Sequence, residues 1–173
     1  MAVSNTTPLV YLVKIRRLDI LKNVYKLIHV CSPVWQDILH LYKIGFLTEE
    51  DFSSLSQARQ EWILLQDPSE KHSIELRENL VKMGLGLGEA YSIALAKEMG
   101  TVFLANDKQA IEVAREYGVE TRWFTEILHD ALKRKYIRSI DEYAQVLDAC
   151  ISHGLYVSKK QREKAIEIAK KIT

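Results

Sequence analysis

Between Gly84 and Gly118 the chain reads GLGLGEAYSIALAKEMGTVFLANDKQAIEVAREYG, and this stretch constrains the fold more than any other. Glu89 opens a nearly all-apolar run (Ala90, Tyr91, Ile93, Ala94, Leu95, Ala96), which suits a buried helix that stops at Gly100. Thr101 to Ala105 is short, apolar and rich in β-formers, the mark of a strand buried on both faces. Asn106 and Asp107 end that strand. An amphipathic helix follows, with Ala110, Val113, Ala114 and Tyr117 at helical spacing, and Gly118 closes it. A strand buried on both faces between two helices belongs in a parallel sheet.

The rest of the chain repeats this alternation. Ala2 to Asn5 reads as a strand, and Thr7-Pro8 as a cap followed by a proline that starts a helix. Leu9, Leu12 and Val13, then Leu18, Leu21 and Val24, give two short helices around a basic break at Lys14, Arg16 and Arg17. Leu27 to Cys31 is a second strand, and Ser32-Pro33 a second cap with proline before Val34, Ile38 and Leu41. Glu49, Glu50 and Asp51 suit the N-terminus of a helix over 48–58, and Glu61 to Leu65 reads as a third strand. Ser69 is the expected cap of a charged helix carrying Ile74, Leu80 and Val81. Glu120 to Phe124 reads as a last strand, with Thr125 capping the helix through Ile127, Leu128 and Leu132. Two more helices show stripes at Ile140, Tyr143, Ala144 and Leu147, and at Ala165, Ile168, Ala169 and Ile172. The expected architecture is a three-layer α/β/α fold, with a central parallel sheet and a helical C-terminal section over about 125–173.

A chain of 173 residues is expected to form a single domain over 1–173 with a sufficient core of its own. With 27% charged residues and a formal net charge of +1, it is not the strongly basic kind that binds any polyanion. Cys31 and Cys150 sit in apolar runs without metal spacing, so free buried thiols in a reducing cytosol are expected rather than a disulfide or zinc site. No signal peptide and no apolar run of spanning length is read, so a cytoplasmic protein with no membrane contact is expected.

Ligands of such sheets bind beyond the carboxyl ends of the strands. The polar residues at those turns are Asn5, Asn106, Asp107, Glu89 and, one turn into its helix, Asp37. Carboxylates gathered there repel one another unless a hard cation neutralises them, and oxygen donors suit Mg or Mn. Such an ion could activate water against a phosphodiester. Each residue also has an ordinary structural use: Asp107 as a cap, Glu89 for the helix dipole, Asn5 for the turn, Asp37 as a solvated acid. The glycine run Gly84 to Gly88 follows a helix rather than a strand and lacks G-x-G-x-x-G spacing, so it is read as a loop that lets Glu89 approach other backbone. His29, His40, His72, His129 and His153 are scattered without ligand spacing. The clusters Lys133-Arg134-Lys135 with Arg138, and Lys159-Lys160 with Arg162 and Lys164, are solvated faces able to touch phosphates.

With these residues laid out, the chain resembles a prokaryotic branch of the PIN-domain superfamily, similar to the VapC-type toxin ribonucleases. The segments that carry the resemblance are Val3 to Leu12, Pro33 to Ile38, Gly88-Glu89-Ala90 with Ala94 and Ala96, and Leu104 to Ala110. It implies a metal-dependent ribonuclease using Mg or Mn, with RNA as substrate, an antitoxin-like protein partner and a homodimer. By position it implies Asn5, Asp37, Glu89 and Asp107 as catalytic residues, with Asp37, Glu89 and Asp107 as metal ligands. Asn5 stands where the family has an acid, Asn106 where a second acid is frequent, and Asp37 where a longer glutamate is usual. An amide oxygen ligates a hard cation but adds no charge, so metal affinity should fall. The alternative reading is a catalytically silent PIN-like module that binds RNA or a protein.

Overall fold

Short apolar strands fix the centre of the molecule, and the helices that follow them cover both faces. The computed structural model describes residues 1–173. Strands β1 (Ala2–Ser4), β2 (Ile28–Val30), β3 (Ile63–Leu65), β4 (Val102–Ala105) and β5 (Thr121–Trp123) form one sheet in the order β3-β2-β1-β4-β5, with every neighbouring pair parallel. β1 and β2 are buried along their whole length. Edge strand β3 leaves Leu64 and Leu65 exposed. The period of two sends Ala2, Ile28 and Leu104 to one face, and Val3, Phe103 and Ala105 to the other.

Those two faces have unequal cores. On the larger lie α1 (Thr6–Lys14), α2 (Asp19–Tyr25), α3 (Ser32–Lys43), α4 (Glu49–Glu61), α8 (Phe124–Lys133), α9 (Ile140–Ser152) and α10 (Lys159–Ile172). On the smaller lie α5 (Lys71–Lys82), α6 (Leu87–Met99) and α7 (Lys108–Glu116). The three-layer α/β/α expectation, with a parallel sheet and a helical C-terminal section, matches this arrangement. No helix is long and apolar enough to cross a membrane, and both cysteines are free and buried.

The C-terminal helices lock together through one buried polar group. Tyr143 of α9 is fully buried, donates to the Thr125 carbonyl at 3.3 Å and lies 2.9 Å from Nε2 of His129 in α8. The same Nε2 lies 2.9 Å from the Ala165 carbonyl of α10. Burial raises the Tyr143 phenol above its ordinary pKa, so it remains a donor.

Helix starts differ from the sequence reading in detail. α1 begins at Thr6, so Pro8 sits inside the first turn, where its missing N–H costs nothing. Ser69 does not cap α5; Glu98 of α6 accepts from the Ser69 and Glu70 N–H groups instead, at 3.0 and 2.7 Å. Thr125 lies within α8, whose first turn is closed by Glu126 accepting from the Trp123 N–H at 2.8 Å. Distant residues supply a cap as readily as local ones, and local pattern cannot reveal them.

His29 on β2 is buried, and its Nδ1 has no partner. Desolvation holds its pKa below the ordinary value, so the folded state keeps it neutral. A folded pKa below the unfolded one gives stability that is full above about pH 6.5 and is lost as pH falls through the folded value. Thermal melts from pH 7.5 down to 5.5 should therefore show a falling Tm, and His29→Leu should flatten that slope. An unchanged slope in the variant would remove His29 as its source.

Candidate functional site

The strand order places a switch point between β1 and β4. From β1 the chain leaves towards the larger core through α1, and from β4 towards the smaller core through α7. A crevice forms between two such strands at their carboxyl ends. Asn5 follows β1 and Asp107 follows β4 at this point, and the Asn5 N–H donates to the Leu104 carbonyl across the gap at 2.9 Å.

Beside it opens a cleft of about 700 Å³ lined by Asn5, Thr6, Asp37, Asp67, Gly88 and Glu89 among others. No lysine or arginine lines it. The first residues of α1 (Thr6, Thr7), α3 (Ser32, Pro33) and α6 (Leu87, Gly88) all reach its wall. The partial positive charge of three helix N-termini favours anions there, both the carboxylates present and an incoming phosphate.

Gly88 is the residue that closes the wall. A Cβ built on it would lie 3.3 Å from Oδ2 of Asp37, 3.3 Å from Cγ2 of Val34 and 3.5 Å from Oδ1 of Asn5. Without a side chain, α6 rests against α3 and against the end of β1. The Asn5 amide oxygen and an Asp37 carboxylate oxygen thereby meet at one patch of α6 backbone.

Each candidate side chain divides its duties between fold and cleft. Asn5 sits at the N-cap position of α1 but makes no side-chain cap, although it is buried. The expected turn role is not what its amide does. Asp37 accepts from the Thr6 hydroxyl at 3.3 Å. Glu89, in the first turn of α6, accepts from the Gly86 N–H at 3.2 Å. Asp107 caps α7 by accepting from the Ala110 N–H at 2.8 Å. The Glu89 carboxyl is raised above its ordinary pKa, first by burial and then by the charges of Asp107 and Asp37, with the Gly86 N–H pulling the other way. Its neighbours' charges thus reach it across the switch point.

Asn5, Asp37 and Glu89 share the cleft, while Asp107 lies outside its lining. No three His, Cys, Asp or Glu side chains stand close enough together to hold a metal ion among themselves. The donor chemistry, hard oxygens with one acid whose pKa is raised by burial and by two neighbouring charges, is of the kind that suits a hard divalent cation. Asn5 brings an oxygen to the cleft but no charge.

Asp67 was not singled out from the sequence. It stands two residues past β3, as Asp107 stands two past β4, and that shared strand-then-acid spacing was the available signal. Its carboxylate accepts from the Ser32 N–H at 2.7 Å and from the Ser32 hydroxyl at 2.5 Å, pinning the start of α3. Asp67 therefore fixes the turn from which Asp37 projects. Asn106, beside Asp107 and like it outside the cleft lining, donates to the Tyr156 carbonyl at 3.1 Å.

An all-parallel sheet with acids at its switch point is a frame that many α/β proteins share, so the family comes from comparison rather than from the frame. The family profile DUF3368, described as a PIN domain, matches residues 1–171, and the chain belongs to that family. No curated protein matches the chain.

Two outcomes test the site. Because its folded pKa is raised, ionised Glu89 costs stability above that pKa, and the cost vanishes as pH falls below about 4. Glu89→Gln, which keeps an oxygen for the Gly86 N–H, should raise the metal-free Tm at pH 7 by about 1–2 °C and leave it unchanged at pH 4. Gly88→Ala gains roughly 1 kcal/mol of helix propensity but crowds Asp37 and Val34. A near-constant Tm with weakened Mn²⁺ binding is expected, and unaltered binding would show that this backbone approach does not set the site.

Proposed function

We propose that the chain is a Mg- or Mn-dependent ribonuclease that hydrolyses RNA phosphodiesters, with metal affinity lowered by Asn5. The observation that carries this reading is the cleft beside the switch point, walled by Asp37, Asp67 and Glu89, without one basic side chain. Bare carboxylates repel a phosphate, and a hard cation turns the same cleft into a phosphate site.

Asp37 and Glu89 in the cleft, with Asp107 beside it, would hold the ion once their side chains draw together around it, and Asn5 would add a neutral carbonyl oxygen. When bound, the ion supplies a Lewis acid and a water of lowered pKa. The N–H groups at the starts of α1 and α6 would meet the incoming phosphate oxygens, while the Ser32 N–H that opens α3 is taken by Asp67, which keeps that helix start in place. Water adds to phosphorus and gives one proton to solvent, the bond to the leaving ribose oxygen breaks, and that oxygen takes up a proton from solvent, while the carboxylates, Glu89 among them, hold the reacting groups in place. The family resemblance adds an antitoxin-like protein partner and a homodimer to this reading, and the free buried thiols of Cys31 and Cys150 suit a cytoplasmic location.

A second reading has its own observation. Three carboxylates do not close on one point, and the first-strand position is neutral. A silent module that binds RNA or a protein is compatible with both facts.

Cleavage of single-stranded RNA with Mn²⁺ separates the two. The ribonuclease reading expects slow cleavage by the natural chain and loss of it, by a hundredfold or more on the order seen for removed metal ligands, in Asp107→Ala and Glu89→Ala. Asn5→Asp should restore roughly tenfold, since one added charge near the ion is worth about 1.4 kcal/mol or more. RNA binding without cleavage in both the natural chain and Asn5→Asp would favour the silent module.

A further inference from the structure

Tyr156 lies in the connection between α9 and α10 with 80% of its surface exposed, more than any other large apolar side chain. A lone exposed ring means little by itself. What sets this one apart is the rigidity of the backbone beneath it and the place where that backbone is tied.

Gly154 takes φ +109°, and the turn is closed by Gly154 N–H to the Ile151 carbonyl at 2.9 Å and Leu155 N–H to the Cys150 carbonyl at 3.1 Å. Leu155 drops into the larger core. On the other side, Ser158 and Gln161 cap each other's backbone at 2.9 and 3.1 Å to start α10. Between these anchors, the Asn106 side chain holds the Tyr156 carbonyl. Asn106 immediately precedes Asp107, so the ring is carried on a braced loop tied to the segment that carries a candidate metal ligand. Packing needs Leu155 here and leaves the Tyr156 ring unused.

The charges around it complement the cleft. No cation lines the cleft, but Lys108 directly follows Asp107, and Lys159 and Lys160 open α10; all three are exposed. Aromatic faces stack on unpaired bases, and flanking lysines neutralise the backbone between them. Resting on the ribonuclease reading, we propose that Tyr156 stacks a base of single-stranded RNA beside Asp107, with Lys108, Lys159 and Lys160 on the adjoining phosphates.

The test is steady-state cleavage and equilibrium binding of a short single-stranded RNA, with duplex RNA of the same sequence as control. Tyr156→Ala should raise KM and Kd for the single strand roughly tenfold, within the range found for removed stacking residues, and leave kcat, Mn²⁺ affinity and Tm unchanged. Tyr156→Trp and Tyr156→Phe should retain natural binding, and the duplex should show no difference. Lys159→Gln with Lys160→Gln should make the dependence of binding on salt less steep. Natural KM and Kd in Tyr156→Ala, or a loss in Tyr156→Phe equal to that in Tyr156→Ala, overturn the stacking role and leave the ribonuclease standing. A variant that changes only self-association assigns the ring to a protein contact and also overturns it. RNA binding without cleavage that still depends on the ring removes the enzyme and keeps the subsite. A natural chain that neither binds nor cleaves RNA removes both.

Discussion

The gathering of acids at the carboxyl ends of β1 and β4 is the constraint on which the arrangement of this molecule turns. Parallel strands oblige every connection to cross back over the sheet, so the turns after β1, β2, β3 and β4 share one edge. Asn5, Asp67 and Asp107 stand at three of those turns, and Asp37 one turn into the helix after the remaining one. Glu89 comes to the same edge by a different route, from the first turn of α6, which packs against α3 and β1 through Gly88. Donors at the helix starts offset part of the repulsion: the Thr6 hydroxyl donates to Asp37, and the Gly86 and Ala110 N–H groups donate to Glu89 and Asp107. Burial first, and then the charges of Asp107 and Asp37, still leave the Glu89 carboxyl with a raised pKa.

The scaffold separates stability from that edge. A larger core on one face takes the three C-terminal helices, which meet around Tyr143 and His129 far along the chain from the acids. The smaller core holds α5, α6 and α7, and therefore sets where Glu89 and Asp107 begin. Changes to the C-terminal stripe should act on the fold before they act on the site, whereas a single methyl at Gly88 acts on the site directly. Tyr156 is one point where the two parts touch, through a hydrogen bond from Asn106.

Much of this was legible in the chain. Runs such as Thr101 to Ala105, buried on both faces and followed by Asn106-Asp107, carry their own instruction for a parallel strand and a turn. The alternation from Ala2 to Phe124 gave the layers. Strand order was not legible, because nothing local tells β4 to return beside β1 rather than extend beyond β3. Caps supplied from a distance were hidden for the same reason: Glu98 serves α5 from another helix, and Ser69 looked sufficient. Asp67 shares the spacing of Asp107 after its strand, yet its function as a brace for Ser32 exists only once β2 and β3 pair. The four residues Asn5, Asp37, Glu89 and Asp107 were found as polar side chains at turns. Their division, three in the cleft and Asp107 beside it, is a property of packing.

The most direct test is calorimetric titration of the natural chain with Mn²⁺ near pH 6, in two buffers of different ionisation heat. If the acids at the switch point form a weak metal site, binding saturates at millimolar ion or below in both buffers, and any difference between the two heats counts the protons released. Flat titrations in both buffers would contradict the account, and the acidic cleft would then have to serve something other than metal-assisted chemistry.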